Sequence, residues 1–327
     1  MQIGNIEVKT PIVIAPMAGI SNDAFRQLCF TFNAGLVYTE MVSDKAIFYN
    51  NKKTMDMLVI DDNYHPTSMQ LFGSDIDTMV YAAKVLDNNT NCDIIDINMG
   101  CPVNKVIKTG SGSALMKDED KAVKIVKAVI DNVKKPVTVK MRLGYDSKHI
   151  NYLSLAKKLE EVGVKAIALH ARTRSQMYEG NADWNHIKTL KDNLSIPVIG
   201  NGDVKSVQDF IDMRNLTNCD AVMIGRGCVG NPFLIKEISN YLQGNDNYEI
   251  TYKDRFDYCI KHAQSLINLK GEILGIKEMR GLAPHYISGL YMSTSYKNMM
   301  NQMSTYNDLQ SILNEYEKIL NNYEKNK

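Results

Sequence analysis

The chain has 327 residues, 44% of them hydrophobic, with 38 Lys+Arg against 37 Asp+Glu for a formal net charge of +1. That length accommodates one or two domains with a sizeable core, and the composition is that of a globular protein. The balanced charge excludes a strongly basic nucleic-acid coat and argues against disorder, though it leaves room for a local basic patch.

In chain order, short apolar, β-branched runs recur at even spacing: IVIA at 12–15, LVYT at 36–39, TSMQLF at 67–72 and IIDIN at 94–98. Four more follow, VTVKM at 137–141, AIALH at 166–170, IPVIG at 196–200 and AVMIG at 221–225. Near-continuous apolar runs of this kind predict strands buried on both faces. Stretches such as 118–133 and 149–163 carry helical periodicity between them. Eight strand–helix units predict an α/β fold, a parallel TIM (β/α)8 barrel. The competing doubly wound sheet would carry GxGxxG after its first strand, which is absent. After NPFLIKEISNYL (231–242) the pattern changes: QGNDNYE (243–249) reads as a linker, and 251–325 is helical in pattern. The predicted organisation is a barrel over 1–242, a linker over 243–249 and a small C-terminal all-α helical domain over 250–327.

The six cysteines (29, 92, 101, 219, 228, 259) show no CxxC and no Cys/His cluster at zinc-ligand spacing. Reduced thiols, a cytoplasmic location and no metal are expected. No signal peptide is read at the start, and no apolar run reaches the ~18–20 residues of a membrane span. Arginine is scarce, 8 against 30 lysines, so its placement is informative.

Barrel chemistry gathers where strands end and βα loops begin. The first predicted strand runs into Pro16, Met17, Ala18 and Gly19, the third carries Gln70, and the fourth ends in Asn98-Met99-Gly100-Cys101-Pro102. The fifth carries Lys140 and Arg142, and the sixth ends at His170 and continues through Arg172 and Arg174. The seventh gives Asn201-Gly202-Asp203 and the eighth Gly225-Arg226-Gly227. A lysine interrupting an apolar strand is costly to bury, so something anionic or electron-rich should face Lys140. The small residues of NGD and GRG expose backbone N–H groups where barrels often hold a phosphate, and Arg226 adds a charge-assisted donor. A lone cysteine or a lone lysine at a strand end is more often plain core or a solvated charge; polar residues at the exit of nearly every strand are not.

The blocks APMAGISNDAFR (15–26), SMQLFG (68–73), DINMGCPVNKV (96–106), GSGSALM (110–116), VKMRLG (139–144), LHARTRSQMYEGNADW (169–184), VIGNGDV (198–204) and MIGRGCVGNPF (223–233) resemble the tRNA-dihydrouridine synthase family. The pattern is closest to the bacterial branch similar to dihydrouridine synthase B. The resemblance spans about 11–235 and is fainter in the helical tail. It implies an FMN-binding barrel that reduces specific uridines in tRNA to 5,6-dihydrouridine with NADPH. By the same resemblance, Pro16, Met17, Ala18, Gln70, Lys140, His170, Asn201, Gly202, Asp203, Gly225 and Arg226 bind FMN. Cys101 is the catalytic acid, passing a proton to uracil carbon 5 while hydride goes from flavin to carbon 6. Asn98, Arg142 and Tyr178 hold the uracil, and Arg172, Arg174, Lys277, Arg280 and His285 are candidate tRNA contacts. No protein partner is implied.

Three other readings stay open at this stage. An FMN barrel acting on a free pyrimidine, such as a dihydroorotate or dihydropyrimidine dehydrogenase, would not need the helical tail. Lys140 as a Schiff-base lysine predicts borohydride trapping and a colourless protein. An inactive RNA-binding module would not need Cys101.

Overall fold

The computed structural model describes residues 1–245 and 250–325, so 246–249 of the expected linker and the last two positions of the helical domain lie outside the described residues. The chain divides into two compact units, Met1–Gly227 and Cys228–Lys327. The helix Phe233–Leu242 falls with the second unit, whereas the sequence reading counted it with the first.

The first unit is a closed barrel. Its strands are β1 (Ile12–Ile14), β2 (Leu36–Tyr38), β3 (Thr67–Phe72), β4 (Ile94–Met99), β5 (Val137–Arg142), β6 (Ile167–His170), β7 (Val198–Asn201) and β8 (Ala221–Ile224). Each pairs in parallel with its neighbours in chain order, and β8 pairs with β1 to close the ring. The eight predicted strands are therefore the eight observed ones. The predicted helix at 149–163 begins only at Tyr152, because His149–Ile150 pairs antiparallel with Gly144–Asp146 in a small hairpin instead.

The strands alternate. On β4, Ile94, Asp96 and Asn98 share one face, and on β5 Thr138, Lys140 and Arg142 do. Ile94 packs into the interior cluster with Val13, Leu36, Tyr38, Ala168, Ile199 and Met223. A short hairpin, Gln2–Ile3 with Ile6–Glu7, adds Ile3 to that cluster, and Val8 follows. The inward face thus runs from apolar at the strand beginnings to polar at the strand ends, which is what gives the barrel a reactive mouth.

Helix starts are capped as their sequences dictate. Asn22, Asp75, Asp118 and Ser206 each accept from a backbone N–H in the first turn. In the second unit, helices Tyr252–Lys270, Glu272–Tyr286, Ser293–Gln302 and Tyr306–Lys325 follow Phe233–Leu242. Thr251 and Asp254 form a capping box at the start of the first of these four. Cys259, Leu266, Met279, Met300 and Tyr316 are buried in this unit, and Tyr316 stacks on Tyr296 at 4.0 Å between centroids. No described helix is long and apolar enough to cross a membrane.

Gly35 precedes β2 and tests how tightly β1 and β2 pack. A Cβ there would fall onto the Thr10 carbonyl oxygen, a backbone atom that cannot swing aside. Gly35→Ala is expected to destabilise the protein by roughly 1–3 kcal/mol, read as a lowered Tm with an unchanged far-UV CD spectrum.

Candidate active site

The ends of β1, β6, β7 and β8, with Lys140 of β5, surround an open cavity of about 220 Å³. Its wall includes Pro16, Met17, Lys140, His170, Tyr178, Asn201, Gly202, Asp203, Gly225 and Arg226. These are ten of the residues expected to touch cofactor or substrate. Ala18 is exposed on the turn beyond Met17 and is not part of this wall.

The wall is cationic. Lys140 Nζ donates to Asn201 Oδ1 at 3.0 Å, a neutral amide rather than a carboxylate. Asn201 in turn donates Nδ2 to the Met223 carbonyl at 2.7 Å, which fixes its oxygen toward the lysine. Burial and the nearby Arg142 lower Lys140 to about 8, with Asp96 and Cys101 pulling the other way. His170 is pushed well below its ordinary value by burial and then by Lys140, Arg142, Arg172 and Arg226, so its imidazole is neutral at pH 7. Arg226 lies over the Tyr178 ring, 4.4 Å from the guanidinium carbon to the centroid.

Arg172 corrects an expectation. As an RNA contact it should be exposed, but it is 1% exposed and its guanidinium is committed internally. It pairs with both Asp203 oxygens at 2.9 and 2.7 Å and donates to the Glu179 and Gly180 carbonyls. Asp203 also accepts from the Ala182 N–H at 2.7 Å. This pair therefore braces the loop after β6 against the loop after β7. Arg174 stays nearer the surface, reaching Asn104 Oδ1 at 2.7 Å and lying over Tyr145, whose ring also carries Lys117 Nζ at 3.7 Å.

Cys101 sits on a turn clamped from several sides. Its N–H and that of Gly100 donate to Asn98 Oδ1 at 2.8 and 3.1 Å. Arg142 Nε donates to the Gly100 carbonyl at 3.0 Å, and Ser113 donates its hydroxyl and its N–H to the Cys101 carbonyl at 2.9 and 3.2 Å. Gly112 has φ +62°, a left-handed backbone that favours glycine, and a Cβ there would crowd Cys101 and Val106 at 3.0 Å. Burial raises the Cys101 thiol, offset by the Val103 N–H, Arg142 and Lys140, so it is protonated at neutral pH. The other five cysteines are buried.

Asn98 and Arg142, expected at the uracil, are 6% and 2% exposed and are bonded within the protein, Asn98 to Gln70 and to backbone N–H groups. Arg142 donates to the Thr173 and Met177 carbonyls at 2.8 and 2.7 Å as well as to Gly100. Gln70 is fully buried beneath the mouth, bonded to Asp96 and Asn98. Asp96, Thr138 and Ser113 were not singled out from sequence. For Asp96 and Thr138 the available signal was the polar alternation in IIDINM and VTVKMR; Ser113, on the 112–117 turn, had none.

In the second unit, Lys277, Arg280 and His285 share the helix Glu272–Tyr286. Lys277 and His285 are exposed, and Arg280 is half-buried with Nε on the Met303 carbonyl at 2.6 Å.

Comparison with known proteins adds an independent view. The family "Dihydrouridine synthase (Dus)" matches residues 13–324. A probable tRNA-dihydrouridine synthase of Rickettsia bellii is 38% identical over 306 residues, covering 93% of this chain and 94% of that protein. The tRNA-dihydrouridine synthase B of Vibrio vulnificus is 37% identical over 302 residues, covering 92% and 94%. Among solved structures, histamine dehydrogenase from Rhizobium sp. 4-9 superposes with a TM-score of 0.56 at 14% identity. That match covers 81% of this chain, which spans half the length of that protein, and it speaks to the barrel fold alone.

The charge on Lys140 has a measurable cost. Between its folded value of about 8 and 10.5 in a free lysine, the unfolded chain holds a proton that the folded chain has released. Stability therefore rises with pH across that window. Lys140→Met should be more stable than wild type by about 2 kcal/mol at neutral pH, after allowing for the lost bond to Asn201. Urea denaturation should show that gap closing by alkaline pH near the free-lysine value; an equal gap at both ends would contradict the assignment.

Proposed function

The chain belongs to the dihydrouridine synthase family, and from that premise we propose that it reduces specific uridines of tRNA to 5,6-dihydrouridine with FMN and NADPH. The donor set suits the cofactor. Pro16 and Met17 offer apolar contact, Lys140 a partly buried cation, and Gly225, Arg226 and Gly227 backbone and guanidinium donors for a phosphate. Asn201, Gly202 and Asp203 complete the wall on the β7 side. When bound, reduced FMN supplies hydride to uracil carbon 6, with NADPH as the reductant that replenishes it.

The observation that carries this reading is Cys101. Uracil reduction needs one proton at carbon 5, and Cys101 is a protonated thiol on a turn held at both carbonyl and N–H. As the proton leaves Sγ, the thiolate forms under the influence of Arg142 and Lys140, which favour its negative charge. Neutral His170 lends hydrogen bonding at the cavity wall without adding a further positive charge. Tyr178, 50% exposed and stacked under Arg226, presents a face for the flipped base. Taking that base out of its stack costs about a few kcal/mol. Contacts of Arg174, Lys277, Arg280 and His285 with tRNA would offset it.

An absorbance spectrum tests the reading directly. The purified protein should show flavin bands that bleach anaerobically with NADPH and return on adding unmodified tRNA. Bleaching without reoxidation by tRNA would point to a small-molecule substrate, and a colourless protein that takes up no FMN would overturn the flavoenzyme reading. Cys101→Ala should bind FMN and accept electrons from NADPH as wild type does. Its rate of dihydrouridine formation should fall by ~10²–10⁴, the usual worth of a general acid.

A further inference from the structure

A run of buried side chains lies beneath the Cys101 turn, and each member leaves the next a single choice. Asp96 of β4 is fully buried; its Oδ1 accepts from Thr138 Oγ at 2.6 Å and its Oδ2 from Gln70 Nε2 at 2.7 Å. A carboxylate can only accept, so Gln70 must meet it with nitrogen and is left with Oε1 toward Asn98. Asn98 answers with Nδ2 at 2.7 Å, and the same nitrogen lies 3.7 Å from Met41 Sδ. Its Oδ1 is thereby turned to the N–H groups of Gly100 and Cys101. Reversing either amide sets like against like at two buried joints, which is expensive away from water.

We propose that Asp96 is a positioning residue: its carboxylate sets the order of donors and acceptors through Gln70 and Asn98 and so fixes the turn that carries Cys101. The structural part stands on these contacts, and its consequence for turnover rests on the reading of Cys101 as proton donor. Burial raises Asp96 to about 6 while Thr138, Gln70 and Lys140 hold it down, so it is ionised at neutral pH. Burial raises the phenol of Tyr38 on β2, and the nearby Asp96 charge adds to that.

Native-state alkylation by iodoacetamide reads the turn, because Cys101 is partly exposed and the other five cysteines are buried. Asp96→Leu removes the acceptor and should raise the Cys101 alkylation rate about tenfold, the scale of one lost buried hydrogen bond. Gln70→Met cuts the next link and should do the same; it carries the test if Asp96→Leu does not fold. Asp96→Asn can still accept from Gln70 while donating to the Thr138 oxygen, so it should alkylate within about twofold of wild type. In turnover, Asp96→Leu should lower kcat about tenfold with KM for tRNA within about twofold. Wild-type alkylation in folded Asp96→Leu or Gln70→Met would overturn the positioning role, whatever the reaction is. The expected alkylation pattern in a protein whose wild type forms no dihydrouridine would sustain the positioning role and sink the uridine-reductase reading.

Discussion

A polar group taken out of water must find a partner, and the mouth of this barrel is built around that requirement. The inward faces of β3, β4 and β5 carry Gln70, Asp96, Asn98, Thr138, Lys140 and Arg142. Register places Gln70 beside Asp96, Asp96 beside Thr138 and Asn98 beside Lys140. Close spacing then dictates the bonding. An acceptor-only carboxylate at the bottom fixes two amides above it, and these fix a backbone turn. Arg142 secures the same turn from the other side through the Gly100 carbonyl. Cys101 owes its place to satisfied hydrogen bonds more than to apolar packing.

Charge tells a complementary story. Lys140, Arg142, Arg172 and Arg226 converge near His170, all four acting to lower its affinity for a proton. Asp203 answers only part of that charge: it is bidentate to Arg172 and 4.0 Å from Arg226. Lys140 is left with an amide oxygen. An arrangement with this surplus is unfavourable by itself and suits an anionic occupant, whose binding would restore the balance. Under the proposed function, flavin phosphate and a reduced, negatively charged ring would be occupants of that kind. Binding such an occupant would offset the repulsion among the cations.

Much of this was legible in the sequence, for identifiable reasons. Eight strands could be counted because each is short, β-branched and bounded by turn residues. Cys101, Lys140 and the NGD and GRG loops stood out because strand ends are where barrels keep their chemistry. What misled was reading IIDIN and VTVKM as nearly continuous apolar runs, with Lys140 as the one interruption. They alternate, and their polar members form the network beneath the mouth. Arg172 looked like a rim cation because spacing says nothing about which way an arginine turns after a strand ends. Only the fold shows Asp203, 31 residues on, waiting for it. Of the hairpin, only His149–Ile150 was read as helix, because these two residues continue the pattern of the helix that follows.

The buried amides also bear on how substrate would be recognised. Asn98 has its oxygen on two backbone N–H groups and its nitrogen on Gln70 and Met41. Arg142 reaches three carbonyls. Asn98 cannot turn to a base without abandoning bonds that hold the turn, whereas Arg142 keeps its second terminal nitrogen outside these three bonds. The side chains that line the cavity with an exposed edge are different ones: Tyr178, Lys140, Asn201 and Arg226. Under the proposed function, recognition and proton delivery would fall to two layers of one barrel. The outer layer is cationic, open and able to adjust to its occupant. The inner layer carries charge only at Asp96 and Arg142, and its hydrogen bonds leave Gln70 and Asn98 one arrangement. A thiol proposed to protonate one carbon of a ring and not its neighbour would need that rigidity, since small misplacements of a reacting group are costly in rate.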